Sequence, residues 1–142
     1  MSVSTLAHYS VRTANLEASV RFYSQVLGLR EGFRPAFDFP GAWLYLGANE
    51  ADFGVVHLIG VDANNSTGLT AYLGDRADTT GTGAIDHIAF IANQLQDFRG
   101  RLKREGVAFR ERTVPGLGLH QVFFEDPSGV TIEMNFSAQE VA

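Results

Sequence analysis

The chain has no cysteine. Disulfides, thiolate metal ligands and a cysteine nucleophile are therefore excluded. Basic residues are also few: 11 Lys and Arg against 16 Asp and Glu leave a net charge of −5. That balance argues against nucleic acid as a partner, because phosphate binding needs a concentrated basic surface. The one basic cluster, Arg99, Arg101, Lys103 and Arg104, has the spacing of a solvated helix face. No apolar run approaches the roughly 20 residues that span a bilayer. The N-terminus has no basic stretch leading into an apolar one. These absences predict a soluble, cytoplasmic protein with no membrane partner. With 142 residues, the chain is expected to form one domain or two half-domains sharing a core.

Histidine is scarce too, with four in the chain, which makes its placement informative. His8, His57 and His87 each sit in a short apolar, β-like stretch, and so does Glu133 within Val130–Met134. Imidazole nitrogens and a carboxylate are what a borderline divalent metal takes as ligands. A carboxylate among Val, Ile and Met also needs a partner, because an isolated buried charge is costly. The spacing repeats: 49 positions separate His8 from His57, and 46 separate His87 from Glu133. Leu16 and Leu95 each stand eight residues beyond a His, preceded by Asn15 or Gln94. Gly28 and Gly106 close the helical stretches that follow. Two copies of a strand, a helix and further strands are expected.

In the first copy the pattern predicts a strand over Leu6–Arg12 and a helix over Leu16–Leu27. Asn15 serves as its N-cap, and Leu16, Val20, Tyr23 and Leu27 form its apolar face. Pro35, Pro40 and Gly41 mark 33–41 as a loop, unusually aromatic with Phe33, Phe37 and Phe39. Strands are expected at Trp43–Leu46 and Phe53–Ile59, joined through Gly47-Ala48-Asn49. Residues 60–84 read as a flexible connection. The second copy is expected to hold a strand at Ile85–Ile91 and a helix at Leu95–Glu105, with Asn93 and Gln96 as a capping box. A short strand at Val107–Arg112 should follow, and then a hairpin, Gln121–Phe124 and Val130–Phe136, turning at Asp126–Gly129. Period-two geometry puts Val130, Ile132, Met134 and Phe136 on one face and Glu133 on the other, the concave side. By the same parity His120 faces away from it. The tail beyond Ser137 should fray.

The run His8–Leu29, with Asp86-His87-Ile88-Ala89-Phe90 and Phe123–Glu133, closely resembles glyoxalase I and its vicinal oxygen chelate relatives. The resemblance covers nearly the whole chain. It implies an α+β fold of two βαβββ modules curled into an incomplete barrel, here about 4–62 and 84–137 with a linker at 63–83. It also implies a homodimer and a divalent ion (Ni, Mn, Zn or Fe(II)) held by His8, His57, His87 and Glu133. Such a metal acts as a Lewis acid on a substrate with two neighbouring oxygens, lowers the pKa of the adjacent C–H and stabilises an enediolate. Glu133 aligns with a glutamate that is ligand and general base combined. A metal-dependent lyase or isomerase acting on a small molecule is thus the first expectation.

Arg12 matches a basic residue that holds a glutathione carboxylate in relatives, but Val61 replaces an expected Asn. His57 stands where glyoxalase I usually carries Glu or Gln. An extradiol Fe(II) dioxygenase using His8, His87 and Glu133 is the alternative; Phe123 and Val114 stand where those enzymes place Tyr and His. A drug-sequestering, bleomycin-resistance-type binder is a third reading, which four intact ligands disfavour. Phe33, Phe37, Phe39, Trp43, Tyr45, Gln121 and Phe123 are the expected pocket wall.

Overall fold

Buried and accessible side chains alternate along most of the strands, and in the computed structural model this pattern belongs to two open four-stranded sheets. The structure describes residues 2–3, 5–47, 54–62, 67–74 and 78–141. The chain divides into two compact units, Met1–Thr80 and Gly81–Ala142, with one sheet in each. The α+β class with two βαβββ modules is the observed architecture.

In the first unit the strands are β1 (Tyr9–Thr13), β2 (Arg30–Gly32), β3 (Gly41–Tyr45) and β4 (Gly54–Gly60), ordered β1-β4-β3-β2. β1 runs parallel to β4 and the other pairs are antiparallel. Val11, Ala42, Leu44, Val56 and Leu58 share the buried face. Helix α1 (Leu16–Arg21) packs on it, tied down by the Thr13 and Ser19 hydroxyls at 2.8 Å. Asn15 caps α1 by accepting the Ala18 N–H, as expected. The expected twelve-residue α-helix is not what forms: Phe22–Val26 is a π-helical turn, in which the Leu27 N–H reaches the Phe22 carbonyl. That extra residue per turn rotates the apolar stripe. Ser19, Phe22, Tyr23 and Val26 are buried, while Leu16, Val20 and Leu27 remain partly exposed. Gly28 takes a positive φ of 77° in the turn that follows, where glycine is favoured.

The expected flexible connection contains a helix, α2 (Thr67–Leu73), anchored by the buried Leu69. A Cβ at Gly68 would collide with the Asp38 carbonyl, so the missing side chain lets α2 lie against the aromatic loop. Ala48, Asn49 and Phe53 of the expected turn and strand lie outside the described residues.

The second unit holds β5 (Ile88–Ile91), β6 (Phe109–Val114), β7 (Leu119–Glu125) and β8 (Thr131–Ser137), ordered β5-β8-β7-β6 with β5 parallel to β8. Helix α3 (Leu95–Arg104) buries Leu95, Phe98 and Leu102, with the Phe98 ring packed on Phe124 and Phe136. Each such side chain contributes about 1.5–3 kcal/mol when fully removed from water. The expected Asn93/Gln96 capping box does not form. Gln94 occupies the cap with φ 63° and makes no side-chain cap bond; the Leu95 N–H is accepted instead by Glu140 Oε1. Glu140 can do this because residues 138–141 form a 3₁₀ turn rather than a frayed tail. His8 and His87 also differ from expectation, each lying one residue before its strand begins. No helix among the described residues is long and apolar enough to cross a membrane.

Candidate functional site

Strand parity decides what each sheet presents opposite its helix. In β4, His57 lies between the buried Val56 and Leu58 and therefore points to the other face. Its cross-strand partner on β3 is Trp43. The indole stacks on the His57 ring with centroids 3.9 Å apart and planes within 6°. The His8 ring, entering just before β1, stacks on His57 at 3.7 Å. The first unit thus brings two of the expected ligands together in a three-ring column with Trp43. Burial pushes the His57 pKa down to about 4, helped by the neighbouring His8 and by the positive charge of Arg34 and opposed by a hydrogen bond to the Gly54 backbone. His57 is consequently neutral near pH 7, with an imidazole lone pair to offer a metal. A Cβ at Gly54 would sit 3.5 Å from His57 Nε2 and 3.3 Å from the Trp43 Cβ, so the bulge between Leu44 and Tyr45 turns a bare backbone toward the column.

The other expected pocket residues of this unit play different parts. Tyr45 is buried, 2% exposed, and its hydroxyl donates to the Phe33 carbonyl at 2.6 Å. Phe33 itself is exposed. Phe37 and Phe39 stack at 5.3 Å, with Phe37 also 6.3 Å from Trp43. Arg12 lies on the same sheet face as Ser10, the neighbour of His57 on β1, and its Nε donates to the Asp78 carbonyl.

In the second unit Glu133 lies opposite the buried Ile132 and Met134, yet is itself only 8% exposed. Its Oε1 stands 3.5 Å from His87 Nε2, and its Oε2 accepts a hydrogen bond from Asn135 Nδ2 at 2.8 Å. Gln121 Nε2 in turn donates to Asn135 Oδ1 at 3.0 Å. On its far side His87 is bonded through Nδ1 to Asp86 Oδ1 at 2.8 Å. Phe123 meets the His87 ring edge-on at 6.3 Å and carries the Arg110 guanidinium 4.2 Å above its face. His120 faces the helix side, 5% exposed, between Glu111 and Thr113. Burial disfavours the Glu111 carboxylate, but hydrogen bonds from Arg99 and His120 outweigh that and hold its pKa below the carboxylate range.

Cis ligands of an octahedral ion at usual bond lengths lie ~3 Å apart. His87 Nε2 and Glu133 Oε1 nearly meet that spacing, and both have the outer hydrogen bonds that orient metal ligands. The stacked rings of His8 and His57 do not converge their lone pairs, so one must rotate; His8, exposed before β1, has the freedom to do so. Within neither unit do three or more His, Asp or Glu side chains of the described residues gather into a metal-holding group. The donor chemistry fits a divalent ion. Three supporting residues escaped the sequence reading: Asp86, Asn135 and Arg34. Asn135 had a legible signal, since parity puts it beside Glu133 on the same strand face.

The chain is 25% identical to Glyoxylase I 4 of Arabidopsis thaliana over 138 residues, covering 94% of this chain and 71% of that protein. Its fold is similar to the lactoylglutathione lyase of Agrobacterium tumefaciens, with TM-score 0.62, 20% identity and 96% of both chains covered. It is also similar to a mutant of the fosfomycin resistance protein FosX of Listeria monocytogenes. That structure was solved with Mn(II) and 1S,2S-dihydroxypropylphosphonic acid; the TM-score is 0.68, identity 15%, and coverage 97% and 95%. The model of the Glyoxalase/Bleomycin resistance protein/Dioxygenase superfamily matches residues 5–134, and the chain belongs to that superfamily.

Proposed function

We propose that the protein is a divalent-metal-dependent enzyme of the glyoxalase type, a lyase or isomerase acting on a small substrate with two neighbouring oxygens. His8, His57, His87 and Glu133 would be the metal ligands. The observation that supports this best is the His87–Glu133 pair, whose donor atoms face one another at 3.5 Å while Asp86 and Asn135 hold their outer atoms. Members of the superfamily typically use a divalent metal. The ion, when bound, would supply Lewis-acid polarisation of the two substrate oxygens and so acidify the C–H on one of the two adjacent carbons that carry them.

The remaining work falls to the chain's own groups. The Glu133 carboxylate takes the proton from that carbon and returns it to the neighbouring carbon, and Asn135 orients it through Oε2. Trp43 and Phe37 beside His57 in the first unit, and Phe123 beside His87 in the second, supply apolar surface next to the proposed ligands of their own units. Phe123 offers no hydroxyl to a catechol oxygen, which favours this chemistry over ring cleavage. A small-molecule substrate, a homodimer and a cytoplasmic setting belong to the same reading; Ni, Mn, Zn and Fe(II) are the candidate ions. A screen of α-keto and 2-hydroxy carbonyl adducts with each metal, under air and under nitrogen, tests it. Turnover with Ni, Mn or Zn in the absence of oxygen is expected. Strict dependence on Fe(II) with oxygen uptake on a catechol would replace it with a dioxygenase.

A further inference from the structure

The loop between β2 and β3 carries a cation with no anion beside it among the described residues. The Arg34 guanidinium lies 4.9 Å from the Phe37 ring and 5.0 Å from the Phe39 ring, and its Nη2 donates to the Phe39 carbonyl at 2.9 Å. Among the described residues no carboxylate pairs with it. Burial already lowers its pKa, the signature of a charge partly stripped of water. The guanidinium packs on bare backbone: a Cβ at Gly41 would meet the Leu58 carbonyl first, and then Nη2 at 2.8 Å and Nε at 2.9 Å. Phe37 leads from Arg34 to Trp43 and so to His57, and the Arg34 charge is felt at the His57 ring.

A strut for the loop would need only the carbonyl bond and the aromatic contacts. A guanidinium has five N–H donors in a fixed fork that matches an oxyanion, and one of the five is used in the bond to Phe39. Holding an unpaired, partly desolvated cation costs free energy that a bound anion would offset. We propose that Arg34 is an oxyanion-binding residue of the site, and that the substrate carries a carboxylate or phosphoryl group in addition to its neighbouring oxygens. This rests on the reading of the site given above, but it can be tested without the metal.

Trp43 is the single tryptophan of the chain and stacks on His57, so its fluorescence reports on this face. The chelator-treated full chain is titrated at constant pH and ionic strength with inorganic phosphate, with acetate and with neutral acetamide. A saturable change in Trp43 emission is expected with phosphate or acetate and none with acetamide; the stronger of the two anions identifies the group as phosphoryl or carboxylate. Arg34→Gln should weaken that binding by at least about tenfold, Arg34→Lys by less, and Arg104→Gln not at all. Undiminished binding in Arg34→Gln, or no saturable response of the unsubstituted chain to either anion, overturns the proposal. If Arg34→Gln does not fold, the Arg34 Nε–Hε resonance of the unsubstituted chain decides, since it must shift on anion addition. Metal binding measured on the same samples separates the two ideas. An anion response in a chain that binds no metal defeats only the enzyme reading, and metal binding without an anion response defeats only this one.

Discussion

The two units solve the same problem with different chemistry. In the second, His87 and Glu133 are held from outside: Asp86 bonds the far nitrogen of one, Asn135 the far oxygen of the other, and Gln121 orients Asn135. In the first, His8 stacks on His57, and His57 is held by stacking on Trp43 and one backbone bond at Gly54. Hydrogen bonds fix the direction of a lone pair, whereas stacking fixes a plane and leaves the ring free to turn within it. The second unit therefore presents its proposed ligands as a preorganised pair, and the first presents its proposed ligands as an adjustable one.

Several substitutions press on that difference. Glu133→Gln should have the largest effect, because it removes the ligand charge and the proton acceptor together; a loss of about 10²–10⁴-fold in turnover is expected from the proton-transfer role alone, read in the assay that the metal screen identifies. Asn135→Leu comes next, with metal affinity down by about 10–100-fold, the usual cost of losing an outer-shell partner. Trp43→Leu should weaken it less, because stacking does not aim the lone pair. Equal losses in isothermal titration would mean that the two pairs are equally preorganised.

Acid should destabilise the metal-free protein in two separate windows. The folded pKa of His57 is depressed from 6.5 to about 4. Between those values the unfolded chain binds the proton and the folded one does not, so stability falls as pH drops through that range. Glu111 is a carboxylate with a lowered folded pKa; its contribution is present above its ordinary 4.5 and is lost only as pH falls further. Midpoints of thermal unfolding across pH should accordingly lose their upper slope in His57→Gln and their lower slope in Glu111→Gln. The smallest effects concern the helix caps. Asn15→Ala and Glu140→Ala should each cost about 1 kcal/mol, seen as small shifts in denaturant midpoint with unchanged slope.

Those caps also show what the sequence made legible. Asn15 bonds Ala18, three residues away, so local pattern revealed it. Glu140 bonds Leu95 across 45 positions, and no local pattern announces such a partner. The hairpin parity and the concave face of Glu133 followed from period-two alternation, while the βαβββ order came from the internal repeat together with the resemblance to glyoxalase I. The π-turn at Phe22–Val26 did not, because a single inserted residue shifts the apolar face without changing composition. Helix α2 hid in a Gly- and Thr-rich stretch, where the buried Leu69 anchors it. At the site the four proposed ligands stood out through their repeat. Parity alone places Asn135 beside Glu133, whereas Asp86 came to light only when the side-chain partner of His87 was placed, and Arg34 only when its aromatic clamp was.

The ligand set is tested most directly by metal titration of the unsubstituted chain beside His8→Ala and His57→Ala. A four-ligand site predicts one ion per chain and comparable weakening in the two variants. Full metal occupancy retained in His57→Ala would contradict it and reduce the ligands to His8, His87 and Glu133.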